Sequence, residues 1–201
     1  MRHSSLAQFG LALSFCIAAA QAVCAGQTES RIRGSILAIS PHQITVNDRT
    51  GEAVSFILDD ATHYVGEKPV ALTAIQPGSY IGCATVPAGG GTLRALEVTV
   101  FPPSMQGAGE GHYAWDLLPH SSMTNGTVGH LSHADGEVMT VTYDGGEQKI
   151  RVPHGVPIVT VEPGTLRALH PGVKVLILPA KGAPGHAARI LYGEQGITPP
   201  Q

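Results

Sequence analysis

Charged and aromatic residues are scarce in this chain of 201 residues. Asp, Glu, Lys and Arg together make up 13 % of it, and Phe, Trp and Tyr make up 5 %. So little charge excludes a coiled coil and argues against a long helical bundle. The small net charge of −3 and the plentiful β-branched residues argue against intrinsic disorder. With 25 glycines and 15 prolines, the composition is typical of a β-rich protein with many turns.

Long apolar runs are missing after the N-terminus. Residues 1–25 are interpreted as a cleaved signal peptide, with a positive start, an apolar stretch over 6–20 and compact residues before Gly26. That stretch is shorter than a membrane-spanning helix, and no later stretch is apolar enough to span a bilayer. We therefore expect a periplasmic or secreted protein. A lipoprotein processed at Cys24 is the less favoured alternative, because the residues before Cys24 fit that signal poorly.

Cysteine and basic residues are also few. Removal of residues 1–25 leaves Cys83 as the single cysteine, so no intramolecular disulfide is available. Cys83 lies in an apolar stretch that predicts a strand, where a cysteine is most often a small buried apolar residue. Acidic residues number 15 against 12 basic ones, and no basic stripe is present. Nucleic acid is therefore not expected as a partner.

The chain repeats itself at an offset of about 95 residues. Residues 32–38 correspond to 127–133, and residues 71–78 correspond to 165–172. The landmarks follow the same order in both halves, which indicates a tandem duplication of a unit of roughly 70 residues. We expect four segments after the signal peptide: a first barrel over 31–100, an inter-barrel segment over 101–125, a second barrel over 126–195 and a tail over 196–201.

Each unit is predicted to be a small β-barrel. Alternating apolar and polar residues at 43–47 and 137–142 indicate strands, and glycine-containing turns follow both. The apolar stretches at 72–75 and 166–169 are too short for independent helices, and we expect each to form one helical turn that plugs a barrel. The expected fold class is all-β, with two tandem OB-like barrels of five to six strands, each with a short helical plug.

A series of short motifs carries a resemblance. The order Gly-x-Ile, Ile-Thr-Val, Gly-Glu, Leu-x-x-Ile-x-Pro-Gly and Leu-x-Ala-x-x-Val, over most of 31–201, resembles an uncharacterised family of exported bacterial OB-like β-barrel domains. The stretch between the repeats, with Gly-Glu-Gly-His at 109–112 and Trp-Asp-Leu-Leu-Pro at 115–119, is similar to a two-barrel branch of it. The resemblance implies a fold, and its motifs are structural rather than catalytic.

The inter-repeat segment holds a concentration of chemistry-bearing side chains. It is too long for a hairpin, and loops of that length are usually functional or linkers. It contains the single tryptophan of the chain, Trp115. We expect Glu110 and Trp115 to contact a ligand or partner. The competing interpretation is a tether between barrels, anchored by packing of Trp115 and Leu117.

A metal site in this segment is the alternative. His112, Asp116 and His120 are spaced four residues apart, so a helical turn would place the first two on one face. Imidazole and carboxylate ligands suit Cu, Zn or Ni. No cysteine cluster and no His-Glu-x-x-His motif accompanies them. The alternative function is therefore metal binding or metal delivery through residues 105–123.

No catalytic arrangement is visible in the sequence. A Gly-x-Ser-x-Gly elbow is missing, and no Ser, His and acid order suggests a triad. We therefore expect an exported, non-enzymatic binding or interaction module that requires no cofactor. Its expected partner is an envelope protein, a glycan or a small ligand.

Overall fold

The computed structural model describes residues 31–132 and 137–199, and it is all-β, as predicted. The signal peptide predicted at 1–25 and the end of the predicted tail lie outside these residues. Helical structure within them is limited to three single turns of 3-10 helix, at Leu72–Ala74, Pro103–Met105 and Leu166–Ala168. No helix in the described residues has the length and apolar character that crossing a bilayer requires.

The described residues form thirteen strands in one continuous sheet. Six strands precede residue 101: β1 (Ile32–Ile39), β2 (Gln43–Asp48), β3 (Ala53–Ile57), β4 (His63–Pro69), β5 (Tyr80–Pro87) and β6 (Thr92–Val100). Seven follow it: β7 (Gly111–Ala114), β8 (Ser122–Ser132), β9 (Glu137–Tyr143), β10 (Gly146–Val152), β11 (Ile158–Pro163), β12 (Lys174–Ala180) and β13 (Ala183–Gly193).

Ten of these strands form two five-stranded rings. The second ring, β8-β9-β10-β6-β5, closes through parallel pairing of β10 with β6, at Lys149–Thr92, Ile150–Leu93 and Arg151–Arg94. The first ring, β1-β2-β3-β13-β12, closes where β3 meets β13 at the pair Ile57–His186. Closure removes open sheet edges, which are sites of aggregation. A closed barrel is therefore present, as expected from the repeat pattern.

Each ring takes strands from both copies of the repeat. β12 and β13 belong to the second copy but complete the first ring, with Ile32 of β1 paired to Ile177 of β12. β5 and β6 belong to the first copy but complete the second ring, with Ile81 of β5 paired to Gly126 of β8. The segments 31–100 and 126–195 therefore do not each close on themselves. The tandem arrangement expected from the repeat is replaced by an exchange of the last two strands of each copy.

Two strands that the sequence pattern did not single out, β4 and β11, join the rings. β4 pairs in parallel with β13 and in antiparallel with β11, and β11 pairs in parallel with β6. Glu67 of β4 is directly opposite Val161 of β11. These two strands form a seam at the middle of the molecule, and the two rings lie on either side of it.

Each ring encloses its own apolar core. Buried residues of the first include Ile36, Ile44, Val46, Phe56, Ile177 and Ile190. Those of the second include Ile81, Cys83, Val98, Met139, Val141 and Ile150. Cys83 is fully buried, as predicted. The predicted helical turns are the 3-10 turns at Leu72–Ala74 and Leu166–Ala168, where Leu72 packs on the second core and Leu166 on the first.

Candidate functional site

The segment between the repeats is fixed on the second ring by strand pairing and side-chain hydrogen bonds. β7 pairs in antiparallel with the first residues of β8, which begins at Ser122. The Tyr80 hydroxyl donates to the carbonyl oxygen of Ala108 at 3.1 Å, and Nδ2 of Asn125 donates to that of Gly109 at 3.0 Å. The predicted tether is therefore a folded element, and it packs directly on a barrel wall.

The same segment is also bound to the first ring. Nη2 of Arg33, on β1, donates to Oδ1 of Asp116 at 2.7 Å. Nη1 of Arg49, in the turn after β2, donates to the carbonyl oxygen of Leu117 at 3.2 Å. Leu117 is buried, with 8 % of its surface exposed. Residues 101–121, which we call the roof, thus bridge the two rings.

A tight turn ends the roof. The main-chain nitrogen of Trp115 donates to the carbonyl oxygen of Ser121 at 2.8 Å. The buried Ser121 hydroxyl lies 2.7 Å from the carbonyl oxygen of Leu118 and 2.9 Å from that of Trp115. His120 has a φ of 60°, in the left-handed region. This turn sets the direction in which Trp115 leaves the end of β7.

Beneath the roof, between the two rings, lies a cavity of about 280 Å³. Its walls are mainly apolar. The roof and the start of β8 supply Phe101, Met105, Tyr113, Trp115 and Met123, and the rings and seam supply Val65, Val161, Leu176, Leu178 and Leu191. An apolar, concave site with a few polar groups is the usual form of a small-molecule site.

Unpartnered polar atoms gather at this cavity. Within residues 31–132 and 137–199, four buried side-chain atoms have no hydrogen-bond partner: Glu67 Oε2, Glu97 Oε1, Trp115 Nε1 and Asn125 Oδ1. Glu67, Trp115 and Asn125 line the cavity. Buried polar groups in native proteins are nearly always hydrogen-bonded, and each exception requires an explanation. Here three of the four exceptions belong to residues that line one cavity, which makes it a candidate ligand site.

Two buried acids, Glu67 and Glu97, interact through their charges. Glu67 is 1 % exposed and Glu97 is 4 % exposed. Burial raises the pKa of Glu67, and burial together with the negative charge of Glu67 raises the pKa of Glu97. Lys68 follows Glu67 in the chain, but its Nζ is bound by Glu162 and lies 3.8 Å from Glu194. No basic side chain in the described residues forms an ion pair with Glu67 or Glu97.

Two arginines lie at the other end of the cavity. Arg189 of β13 is paired with Leu178 of β12, and Arg31 directly precedes β1, whose Ile32 is paired with Ile177. Arg31 and Arg189 therefore flank Leu178, and both line the cavity. In β13, Arg189 lies four positions before Gly193, the residue paired with Glu67. At about 3.3 Å per residue, the Cα atoms of Arg189 and Gly193 are roughly 13 Å apart.

Trp115 is the predicted contact residue that lines the cavity. The guanidinium carbon of Arg31 lies 3.9 Å from the centre of its ring, a cation–π arrangement, and the Tyr113 ring centre lies 6.2 Å away. Glu110 has a different role, because its Oε1 accepts a hydrogen bond from the main-chain nitrogen of Asp144 at 3.1 Å. That contact caps the turn between β9 and β10.

The three predicted metal ligands are not assembled. Nδ1 of His112 lies 2.8 Å from the Thr124 hydroxyl, whereas Asp116 is bound by Arg33 and His120 is exposed in its turn. The helical turn that would place His112 and Asp116 on one face is not formed, because 111–114 is a strand. No group of three His, Cys, Asp or Glu side chains in residues 31–132 and 137–199 is placed to hold a metal ion. The geometry therefore gives the metal alternative no support.

The sequence pattern did not single out three residues of the cavity wall: Glu67, Asn125 and Arg189. A signal for Glu67 existed in the repeat, because at an offset of 94 residues it corresponds to Val161. One copy thus has a carboxylate where the other has an apolar residue, and the two positions are paired across the seam. A departure from the repeat at a strand position marks a residue that the common fold does not require.

Comparison of the chain with protein-family models, with curated proteins and with solved structures gives no match. The function is therefore argued from the geometry of the site.

Proposed function

We propose that this protein is a non-enzymatic binding protein, exported to the periplasm or secreted, which holds a small organic ligand in the cavity beneath the roof. The observation that carries the proposal is the set of unpartnered atoms of Glu67, Trp115 and Asn125 around an otherwise apolar cavity. An apolar body would fill the space, and these polar atoms would fix its orientation.

The position of the cavity favours a small ligand over a macromolecule. It is bounded by the seam strands below and by Trp115, Tyr113 and Phe101 above. Its volume of about 280 Å³ is close to the lower end of the range for small-molecule sites. Of the three kinds of partner expected from the sequence, a small ligand is the one that a concave space of this size fits best.

The fold gives general support to this proposal. A closed five-stranded ring agrees with the proposed resemblance to exported OB-like β-barrel domains, and barrels of that type commonly bind ligands. The fold does not identify the ligand, because one fold serves many functions. The ligand class has to be inferred from the chemistry of the cavity.

Trp115 provides the test, because it is the single tryptophan of the chain and it lines the cavity. Its fluorescence, excited at the red edge of its absorption where phenyl groups are transparent, is followed while the purified protein is titrated with 2-phenylethylamine, 2-phenylethanol and 3-phenylpropionate. A saturable change in Trp115 fluorescence with at least one probe is expected, since the aromatic side chains of the cavity wall can stack on a phenyl ring. No saturable change with any of the three would overturn the proposal.

A cavity-filling variant locates the binding site. In Val65→Phe the added ring occupies the space between the seam and the roof, so the affinity for the probe should fall by about tenfold or more. The matched control is Val54→Phe on β3, another half-buried strand valine, which packs on the first core away from the cavity. Equal affinity in both variants would place the binding elsewhere and contradict the proposal.

A further inference from the structure

One residue of the cavity wall, Glu67, carries a buried carboxylate oxygen without a partner. Glu67 is 99 % buried, lines the cavity and has no hydrogen bond to Oε2. A second buried carboxylate, Glu97, has Oε1 unpartnered and is subject to the negative charge of Glu67. Isolated buried carboxylates are costly to the fold unless they meet a cation or several hydrogen-bond donors. The described residues supply neither of these to Glu67.

The residues directly opposite Glu67 on the neighbouring strands are uncharged. Its cross-strand partners are Val161 on β11 and Gly193 on β13. The nearest lysine in sequence, Lys68, is bound by Glu162 on the other side of the seam. A neutral ligand group would satisfy one oxygen but leave the negative charges of the two acids without compensation. A cationic group would satisfy the oxygen and also offset the charge of the pair.

On the basis of the proposed function, we infer that the ligand is an organic amine whose ammonium group binds the Glu67 carboxylate and whose apolar or aromatic body lies beneath Trp115. The cavity walls beside Glu67 are aliphatic and aromatic, so the part of the ligand next to the ammonium is apolar. Arg31 and Arg189 at the other end of the cavity disfavour a second ammonium there. The site thus selects a monoamine.

The three phenyl probes separate this inference from the proposed function, because they share one body and differ in the end group. To the unmodified protein, 2-phenylethylamine should bind at least about tenfold more tightly than 2-phenylethanol, as expected for one charge-assisted hydrogen bond. The anionic 3-phenylpropionate should gain nothing from Glu67, because the two negative charges repel each other. Affinities come from the Trp115 fluorescence titration and are checked by calorimetry.

Glu67→Gln keeps the shape of the side chain and removes its charge. The affinity for the amine should fall by about tenfold or more, whereas the affinity for the alcohol should change by no more than about twofold. Glu162→Gln, an acid on the other side of the seam, is the matched control and should keep the preference for the amine. Glu97→Gln should reduce that preference to a smaller extent, because Glu97 acts through its charge on the pair. Thermal melts verify that each variant is folded.

Each outcome has a separate meaning. Equal binding of amine and alcohol by the unmodified protein would overturn the inference and leave the proposed function standing. A preference for the amine that survives in Glu67→Gln would also overturn it. Binding of none of the probes would overturn the proposed function, and the inference with it.

Discussion

Arg33 and Asp116 are 83 residues apart in the chain, and Nη2 of the first donates a hydrogen bond to Oδ1 of the second at 2.7 Å. The Arg33 side chain is 3 % exposed, whereas that of Asp116 is 39 % exposed. The bond joins β1 of the first ring to the roof, and the pairing of β7 with β8 joins the roof to the second ring. The position of Trp115 relative to the seam is therefore fixed by contacts with both rings.

Replacing Asp116 with alanine removes an ionised acceptor from a buried guanidinium. The free energy of unfolding at neutral pH should fall by about 1.5–3 kcal/mol, the usual value of a hydrogen bond to a charged group. Partial burial raises the pKa of Asp116, but the hydrogen bond and charge of Arg33, with the charge of Arg31, outweigh it and hold that pKa below its usual value. Urea denaturation of both proteins measures the difference.

The pH dependence of this effect follows from the lowered pKa. The ionised Asp116 is favoured in the folded state, so its contribution is present above the pKa of the unfolded chain, about 3.9, and is lost as the pH falls through the lower folded value. The difference between Asp116→Ala and the unmodified protein should therefore shrink below about pH 4. Asp60→Ala, at an exposed position, is the control. A variant as stable as this control at neutral pH would contradict the prediction.

Glu67→Gln should stabilise the unliganded protein at neutral pH. Burial raises the pKa of Glu67, so the folded state disfavours the ionised form that the unfolded chain adopts above about pH 4.3. The unmodified protein thus loses stability as the pH rises from the usual pKa toward the raised one, and the variant avoids this loss. Removing the charge also lowers the pKa of Glu97. The gain should be on the order of 1 kcal/mol, because the amide replaces one buried polar group with another.

Thermal melts between acidic and neutral pH measure this gain. The advantage of Glu67→Gln should disappear below about pH 4, where the carboxyl is protonated in both states. Glu52→Gln is the control, since Glu52 is exposed and its hydrogen bonds to Asp48 are made by main-chain atoms of Glu52. An advantage of the same size at every pH would be inconsistent with a titrating Glu67.

Local pattern was sufficient to predict the strands but not their partners. The alternation in β2 and β9 and the turn after β2 follow from residue order within a few positions. In a duplicated chain, however, β5 and β12 occupy equivalent positions in the two copies and offer the same kind of edge to β1. The pattern of apolar and polar residues is identical whether β1 pairs with β5 of its own copy or with β12 of the other copy. The exchange of strands is therefore decided by contacts between distant segments.

The same limit explains which site residues were found. Trp115 was found because it is the single tryptophan in a long segment of its own. Glu67 and Arg189 lie on β4 and β13, which meet only after the strands have been exchanged. The four-residue spacing of His112 and Asp116 was misleading because it has chemical meaning on a helix, whereas β7 is a strand.

Gly82 allows the roof to approach the second ring, and Gly82→Ala should be destabilising. A Cβ at this position would lie 2.7 Å from Oδ1 of Asn125 and 3.0 Å from the Phe101 ring. Such overpacking costs about 1–3 kcal/mol. Displacement of Asn125 or Phe101 should also shift the emission of Trp115 at the other side of the cavity. Chemical denaturation and the emission maximum are the measurements.

Gly129 provides the matched control for this substitution. It lies in β8, where a Cβ would meet the nearest atom, the Thr142 hydroxyl, at an ordinary 3.4 Å. Gly129→Ala should therefore be neutral or slightly stabilising, because alanine restricts the unfolded chain more than glycine does. If Gly82→Ala is as stable as Gly129→Ala, the result would contradict the close contact between the roof and β5.

The exchange of strands can be tested by a disulfide between the copies. Ser35 of β1 and Lys174 of β12 are directly opposite each other in the antiparallel pair. Directly opposed residues have Cα atoms about 4.5–5.5 Å apart, which suits a disulfide. The double variant Ser35→Cys, Lys174→Cys should therefore form an intramolecular bond under mild oxidation. The native Cys83 is fully buried and its thiol pKa is raised by burial, so it does not compete.

The alternative pairing predicts a different disulfide. If each copy closed on itself, β1 would lie beside β5, and Tyr80, which corresponds to Lys174 at the repeat offset of 94 residues, would lie opposite Ser35. The double variant Ser35→Cys, Tyr80→Cys should consequently stay reduced under the same conditions. Mass spectrometry of the unreduced tryptic peptides distinguishes the two. A disulfide in the second variant and none in the first would show that the copies fold as separate barrels, and the cavity beneath Trp115 would lose the strands β12 and β13 that form one of its walls.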